Sequence, residues 1–202
     1  GNWRYANPPP QQGIQVQMDL SGQLLIAMPG IGDPRFEHSL ILLCSHDDTG
    51  AMGLIVNKPA AGVAVSNLLE QLDISVADET DGNQPVRFGG PVETQRGFVL
   101  HSPEYQSNVS SLRVSDGFSM TATVDVLEDI GAGQGPAQKL VMLGYAGWGP
   151  GQLESEIALN GWLNAPATPD LVFELADHEK WEAALREIGV DPLTLSTSAG
   201  HA

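Results

Sequence analysis

Short apolar runs separated by polar or glycine-rich punctuation set the pattern of this chain, and that pattern predicts its elements. From Gly22, QLLIA is a short apolar strand that ends near Pro29. The segment PGIGDPRF holds too many Gly and Pro to be anything but a turn or an irregular connection. SLILLCS is apolar on both faces, as in a strand covered on both sides, and AMGLIVN is a second such strand across the turn HDDTG. The two read as a hairpin with a loop of about five residues.

Ser66 is placed to cap a helix through NLLEQL, in which Leu68, Leu69 and Leu72 share one face. The acidic connection DISVADETDGNQ is expected to be exposed, because burying Asp78, Glu79 and Asp81 without partners is expensive. VRFGGPV and GFVLHS are strand candidates around a turn at Gly89, Gly90 and Pro91, and Phe118 to Thr121 is another. A helix from Thr123 to Ile130 stops at GAGQGP, and KLVMLGYAG leads as a strand into a glycine-rich turn. A helix with Leu153 and Ile157 on one face then ends near Asn160 and Gly161. LVFEL is read as a late strand. DHEKWEAALREIG is read as a helix capped by Asp177, with a stripe of Trp181, Leu185 and Ile188 and a terminal Gly189.

Strands and helices mix without regular alternation, which disfavours a doubly wound parallel sheet and predicts an α+β domain with a strongly curved sheet. Residues 1–18, rich in Pro, Gln and Asn, are expected to be a flexible polar tail. Residues 19–192 form one domain in this reading, and 193–202 form a loose end. With 202 residues and 42% apolar content, the chain is long enough to bury a substantial core.

Charge narrows the function. Nine Lys and Arg stand against twenty-five Asp and Glu, a formal charge of −16, and the cations are scattered. Phosphate backbones are bound by clustered cations, so direct nucleic-acid binding is not expected. No apolar run approaches the roughly 20 residues of a membrane helix, and the amino-terminal stretch lacks the apolar core of a secretion signal. With these features a cytoplasmic chain is expected, and one cysteine, hence no internal disulfide, agrees with a reducing compartment.

Three blocks then carry a resemblance: GQLLIAMPGIGDPRFEHSLILLCSHDDTGAMGLIVNKP (22–59), FGGPVETQRGFVLHS (88–102) and GYAGWGPGQLESEIALNGWL (144–163). Through them the chain resembles the YqgE/AlgH family of bacterial proteins, from about residue 20 to 190. The resemblance implies a small closed or bifurcated, barrel-like sheet surrounded by helices. Members carry a transcriptional-regulator label that comes from a genetic association with alginate control. The family supplies no agreed catalytic residues to carry over.

The chemistry is therefore weighed motif by motif. GYAGWGPGQLE (144–154) is a glycine-rich turn feeding a helix amino terminus, the arrangement behind many phosphate sites. It lacks the Lys and Ser/Thr of a P-loop and the GxGxxG spacing. Glu154 falls in the first turn, where a carboxylate about 6 Å from a bound phosphate repels it by about 3 kcal/mol at an effective dielectric of about 20. The helix end returns only about 0.3–2 kcal/mol. The glycines are thus expected to serve tight turns and packing, while Trp148, Gly149, Gly151 and Glu154 stay candidates for a neutral or cationic ligand.

Cys44 and His46, at i and i+2 on a strand, point to one side, as a nucleophile and its base would. The competing reading is a buried apolar cysteine beside a turn histidine. His38 or His101 could join them on a metal only at long range, without an HExxH or CxxC spacing, and neither metal nor cofactor is expected. Arg96 could hold a carboxylate ligand. GAGQGP follows a helix instead of a strand and reads as a terminator, and Glu154 and Glu156 lie on different helix faces. Two functions emerge: a non-catalytic protein acting through an unknown protein partner or small ligand, and, as the alternative, a small hydrolase or transferase using Cys44 and His46.

Overall fold

The computed structural model describes residues 19–77 and 82–195, so the expectations for residues 1–18, for Asp78, Glu79 and Asp81, and for residues 196–202 lie outside the described residues. The strands are β1 (Gln23–Ala27), β2 (Leu40–Asp47), β3 (Gly50–Ile55), β4 (Pro59–Ala64), β5 (Pro85–Phe88), β6 (Val92–His101), β7 (Leu112–Ser115), β8 (Phe118–Thr121), β9 (Lys139–Trp148) and β10 (Trp162–Pro166). The helices are α1 (Val65–Gln71), α2 (Val124–Gly131), α3 (Gln152–Ala158) and α4 (Asp177–Glu187). Among the described residues no helix is long and apolar enough to cross a membrane.

The architecture is mixed, a large and mostly antiparallel sheet with several helices. The strands run β10-β1-β2-β3-β9-β6-β8-β7, and β5, which also pairs with β4, joins β9 in parallel. The expected closure into a barrel is not found, since β10 and β7 end the path without pairing to each other. Side chains do what strand pairing does not. The core on one face of β1 and β2 takes in Leu171, Val172, Trp181, Ala184 and Leu185, so α4 and the segment before it cover the sheet.

The strand pattern explains three apolar clusters. Leu24, Ile26, Leu40, Leu42 and Cys44 enter that inner core, and Leu25, Ala27, Ile41 and Leu43 pack on the other face with Leu153 of α3 and Trp162. A third cluster joins Leu69 of α1 and Val126 and Ile130 of α2 to Val99 and Val141. The double-sided burial predicted for SLILLCS is observed, and it follows from period-2 alternation with apolar layers above and below.

Other expectations are corrected. LVFEL is not a strand: Asp170–Glu174 is a π-helical turn entered from Pro169 in helical conformation, and a short apolar run does not distinguish the two by periodicity. Asp177 does not cap α4. Its carboxylate instead takes Lys180 Nζ at 2.9 Å and Arg87 Nε at 3.3 Å. Ser66 does not cap α1, which begins one residue earlier, and Asn67 Oδ1 accepts from the Ala64 amide at 2.8 Å. Of the α1 leucines only Leu69 is fully buried, and Leu72 is 44% exposed. Strands β4, β7 and β10 had no expectation, since PAAGVA and LRVS lack a strong apolar alternation and WLNAP ends in proline.

Candidate functional site

The thiol and the imidazole of the proposed pair part company at a bulge. Strand β2 pairs Leu43 with Gly53 and Ser45 with Met52, so two residues advance on one strand for one on the other, and Cys44 is the extra residue. A bulge inverts the in-and-out alternation beyond it. Cys44 therefore stays with Leu42 in the inner core. His46 pairs with Ala51, which packs on the opposite face with Leu153 and Trp148. The correction to the i, i+2 geometry is a matter of register, which residue type does not reveal.

Each residue is then engaged separately. Cys44 is buried with its Sγ 3.7 Å from the Leu42 carbonyl, and burial pushes the thiol up to about 12. Thiolate, the nucleophilic form, is accordingly scarce at neutral pH. His46 Nδ1 accepts from the Leu20 amide at 3.0 Å, which leaves the ring proton of the neutral form on Nε2. That nitrogen lies 3.4 Å from Glu154 Oε2 and has no hydrogen-bond partner among the described residues. His46 and Glu154 are thus brought together, and Cys44 is apart from both. Among the described residues no group of three or more His, Cys, Asp and Glu is arranged to hold a metal.

The glycine-rich turn is organised by its own side chains. Gly149 donates its amide to Gln152 Oε1 at 2.9 Å. Glu156 Oε1 accepts from Trp148 Nε1 at 3.0 Å and from Trp162 Nε1 at 2.9 Å, while its Oε2 accepts from Gln152 Nε2 at 2.9 Å. One carboxylate therefore fixes two indoles that meet edge to face at 5.9 Å. Gly151, at φ 73°, supplies the left-handed residue that starts α3, and Glu154 occupies the first turn. The expected role of the turn as a packing device is consistent with these bonds. Gln152 did not figure among the candidate residues and Glu156 figured only as an acid set aside beside Glu154; the signal that could have found their role was the pair of tryptophans whose N–H groups need acceptors.

Arg96 lies on a different side of β9. Its guanidinium is 3.6 Å from Glu93 and stands 5.1 Å from the Phe98 ring centre. With Met52, Phe98, Met120 and Tyr145 it lines an open cleft of about 640 Å³ that reaches Gly147 and Trp148. A second depression of about 230 Å³, lined by Ile31, Arg35, Phe36, Pro91 and Gln152, reaches the same two residues from the other side. His101, a distant metal candidate by sequence, is buried with Nδ1 donating to the Ser102 carbonyl at 2.9 Å and Nε2 accepting from Thr121 Oγ1 at 2.8 Å. Burial holds its imidazole below the ordinary value.

With that geometry in view, a family model described as AlgH-like matches residues 24–193. The chain belongs to the AlgH-like family. It is 64% identical over 185 residues to a UPF0301 protein of Ruegeria pomeroyi, covering 92% of this chain and 100% of that one. A UPF0301 protein of Cereibacter sphaeroides is 56% identical over the same shares. The solution structure of the AlgH protein from Pseudomonas aeruginosa superposes with a TM-score of 0.75 at 38% identity, covering 98% of this chain and 100% of that one. A crystal structure of a protein from Corynebacterium diphtheriae has a TM-score of 0.68 at 22% identity, covering 93% and 95%, and shows the fold alone. The resemblance read from the three sequence blocks is thereby established at the level of family.

Proposed function

We propose that this AlgH-like protein is a non-catalytic binding protein that acts through a protein partner or a small ligand. The observation that carries this reading is the bulge at Cys44, which puts the thiol in the inner core and His46 on the opposite face. Nucleophilic catalysis needs the two within hydrogen-bond reach of each other and of a substrate. The glycine-rich turn supports the same reading, because the Gly149 amide and the Glu156 carboxylate are occupied by protein groups.

Thiol accessibility tests it. In the native protein Cys44 is expected to resist iodoacetamide for hours at pH 7.5 and to label to completion once unfolded. Rapid native labelling would restore the hydrolase or transferase alternative. A direct regulatory action on DNA is not part of this proposal: with nine cations against twenty-five anions, no retarded DNA is expected at physiological salt.

A further inference from the structure

The third apolar cluster is not filled to its rim. A pit of about 250 Å³ is walled by Leu68 and Leu72 of α1 and by Val124 and Leu127 of α2, over a floor that includes Val99 and Leu143 of the sheet. Leu72 and Val124 are 44% and 53% exposed, so the apolar lining continues to the surface. Each helix lends the pit a single turn. A groove for a partner helix is anchored over two turns or more, so the shape suits a small molecule better than a second chain.

Its polarity is local and neutral. Among the described residues none that lines it is ionisable, whereas the cleft beside Trp148 holds Asp47 and Arg96 and the smaller depression Asp33 and Arg35. Three polar side chains reach it, Gln95, Thr121 and Thr123. Thr121 Oγ1 is bonded to His101 Nε2 at 2.8 Å and to Ser111 Oγ at 2.6 Å, and Thr123 Oγ1 to Asp125 and, at 3.2 Å, to Ser107 Oγ. Only Gln95 has a side-chain amide without a partner among the described residues. Gly97 and Val99, at i and i+2 of β6, share the face toward the pit. A Cβ built on Gly97 meets nothing closer than Leu143 Cδ2 at 3.9 Å, and its φ is not positive. A larger residue at 97 therefore takes its space from the pit and not from the fold.

We infer that the pit between α1 and α2 binds a small neutral molecule with a compact aromatic or branched hydrocarbon body and one hydroxyl, carbonyl or N–H group directed to Gln95. This rests on the reading of the molecule as a binding protein and names its class of ligand. Ligand sites of this kind pair an apolar lining with a few polar groups that fix orientation. An apolar cavity of roughly 150 Å³ holds benzene, so this one takes a body of up to about two fused rings. An ion of the same size is disfavoured, because it gives up its hydration to walls that offer no counter-charge.

The test titrates indole, benzoate and benzylamine, which are similar in size, into the full chain with labelled Leu and Val methyl groups. Indole is expected to shift the methyls of Leu68, Val99 and Leu143 to saturation and to bind about tenfold or more tighter than either ion. Gly97→Val is expected to weaken indole by about tenfold or more at an unchanged or raised melting temperature, as a filled cavity gives. Leu68→Ala widens the pit and is expected to raise the affinity for 2-naphthol relative to indole by about threefold or more. Absence of saturable shifts with indole, equal binding of benzoate, indole binding untouched by Gly97→Val, or an unchanged ratio in Leu68→Ala overturns the proposal. So do shifts of these methyls by a leucine-rich peptide but by none of the small probes, which would make the pit a seat for a partner's side chain. Cys44 labelling is read separately: slow labelling without indole binding refutes the pit alone, and rapid labelling refutes the non-catalytic reading alone.

Discussion

Where β9 is crossed at Gly144, backbone lies against backbone; near its end, at Gly147, a side chain would meet only the edges of Tyr145 and Val92. A Cβ at Gly144 would stand 2.2 Å from the Gly90 carbonyl oxygen, and its φ is 80°. At Gly147, one residue type and three positions further on, neither constraint exists. The difference teaches that a run of glycines can hold two jobs. The first closes a crossing of the sheet, where the Gly89–Pro91 connection passes over β9, and the second sits at an exposed position where a methyl group has room. The sharpest way to break the comparison is Gly144→Ala. With a backbone clash and a left-handed φ together, it is expected to cost about 4 kcal/mol or more and to deplete folded protein on expression, measured by urea denaturation and soluble yield. A loss below about 1 kcal/mol would remove the distinction.

The next effect concerns the clamp that holds the end of β9 against α3. Glu156→Ala strands two buried indole N–H groups, Trp162 being 1% exposed and Trp148 7%. A loss of about 3 kcal/mol is expected, against about 1 kcal/mol for Glu156→Gln, which keeps an acceptor. Equal losses for the two substitutions would show that the negative charge matters and that one neutral acceptor oxygen does not replace it.

The sealed face of β2 supplies a third measurement. Cys44→Ser places a hydroxyl among Leu42, Leu54 and Phe98 and is expected to cost about 2 kcal/mol. The thiol also gives stability a sign at alkaline pH. Its folded value is raised from 9.0 to about 12, so between these limits the unfolded chain loses a proton that the native state keeps. Stability therefore falls as pH rises from about 9 toward about 12, and Cys44→Ala lacks that component of the slope. A slope unchanged in Cys44→Ala would mean that the thiol is not sealed.

Much of this was legible in the residues. Double-sided apolar runs gave β2 and β3, a glycine-terminated stripe gave α4, and three separated blocks gave the family. The candidate chemistry was less legible, because Cys44 and His46 are one-dimensional neighbours whose facing depends on what β3 does opposite them. Asp177 looked like a cap by type and position, yet a fully buried Lys180, which donates to the Val56 carbonyl at 2.9 Å, claims its carboxylate. Arg87 of β5, whose Nε lies 3.3 Å from the same carboxylate, arrives from another strand, where no local rule sees it. The same limit applies to glycine, since its letter reports freedom without saying whether the backbone, a neighbour or a ligand uses it.

The smallest expected effect decides that last point. Gly147→Ala adds one methyl at an exposed position with ordinary φ and a nearest contact of 3.4 Å. Removing glycine also restricts the unfolded chain, which stabilises by about 0.4–1 kcal/mol where the native conformation is compatible. A slight crowding of Tyr145 opposes that gain, so the net change should lie within about 0.5 kcal/mol of zero in the same urea titration that exposes Gly144→Ala. A loss of about 2 kcal/mol or more would mean that the fold itself needs glycine at 147. The contrast with Gly144 would then be one of degree, since both positions would need glycine for the fold.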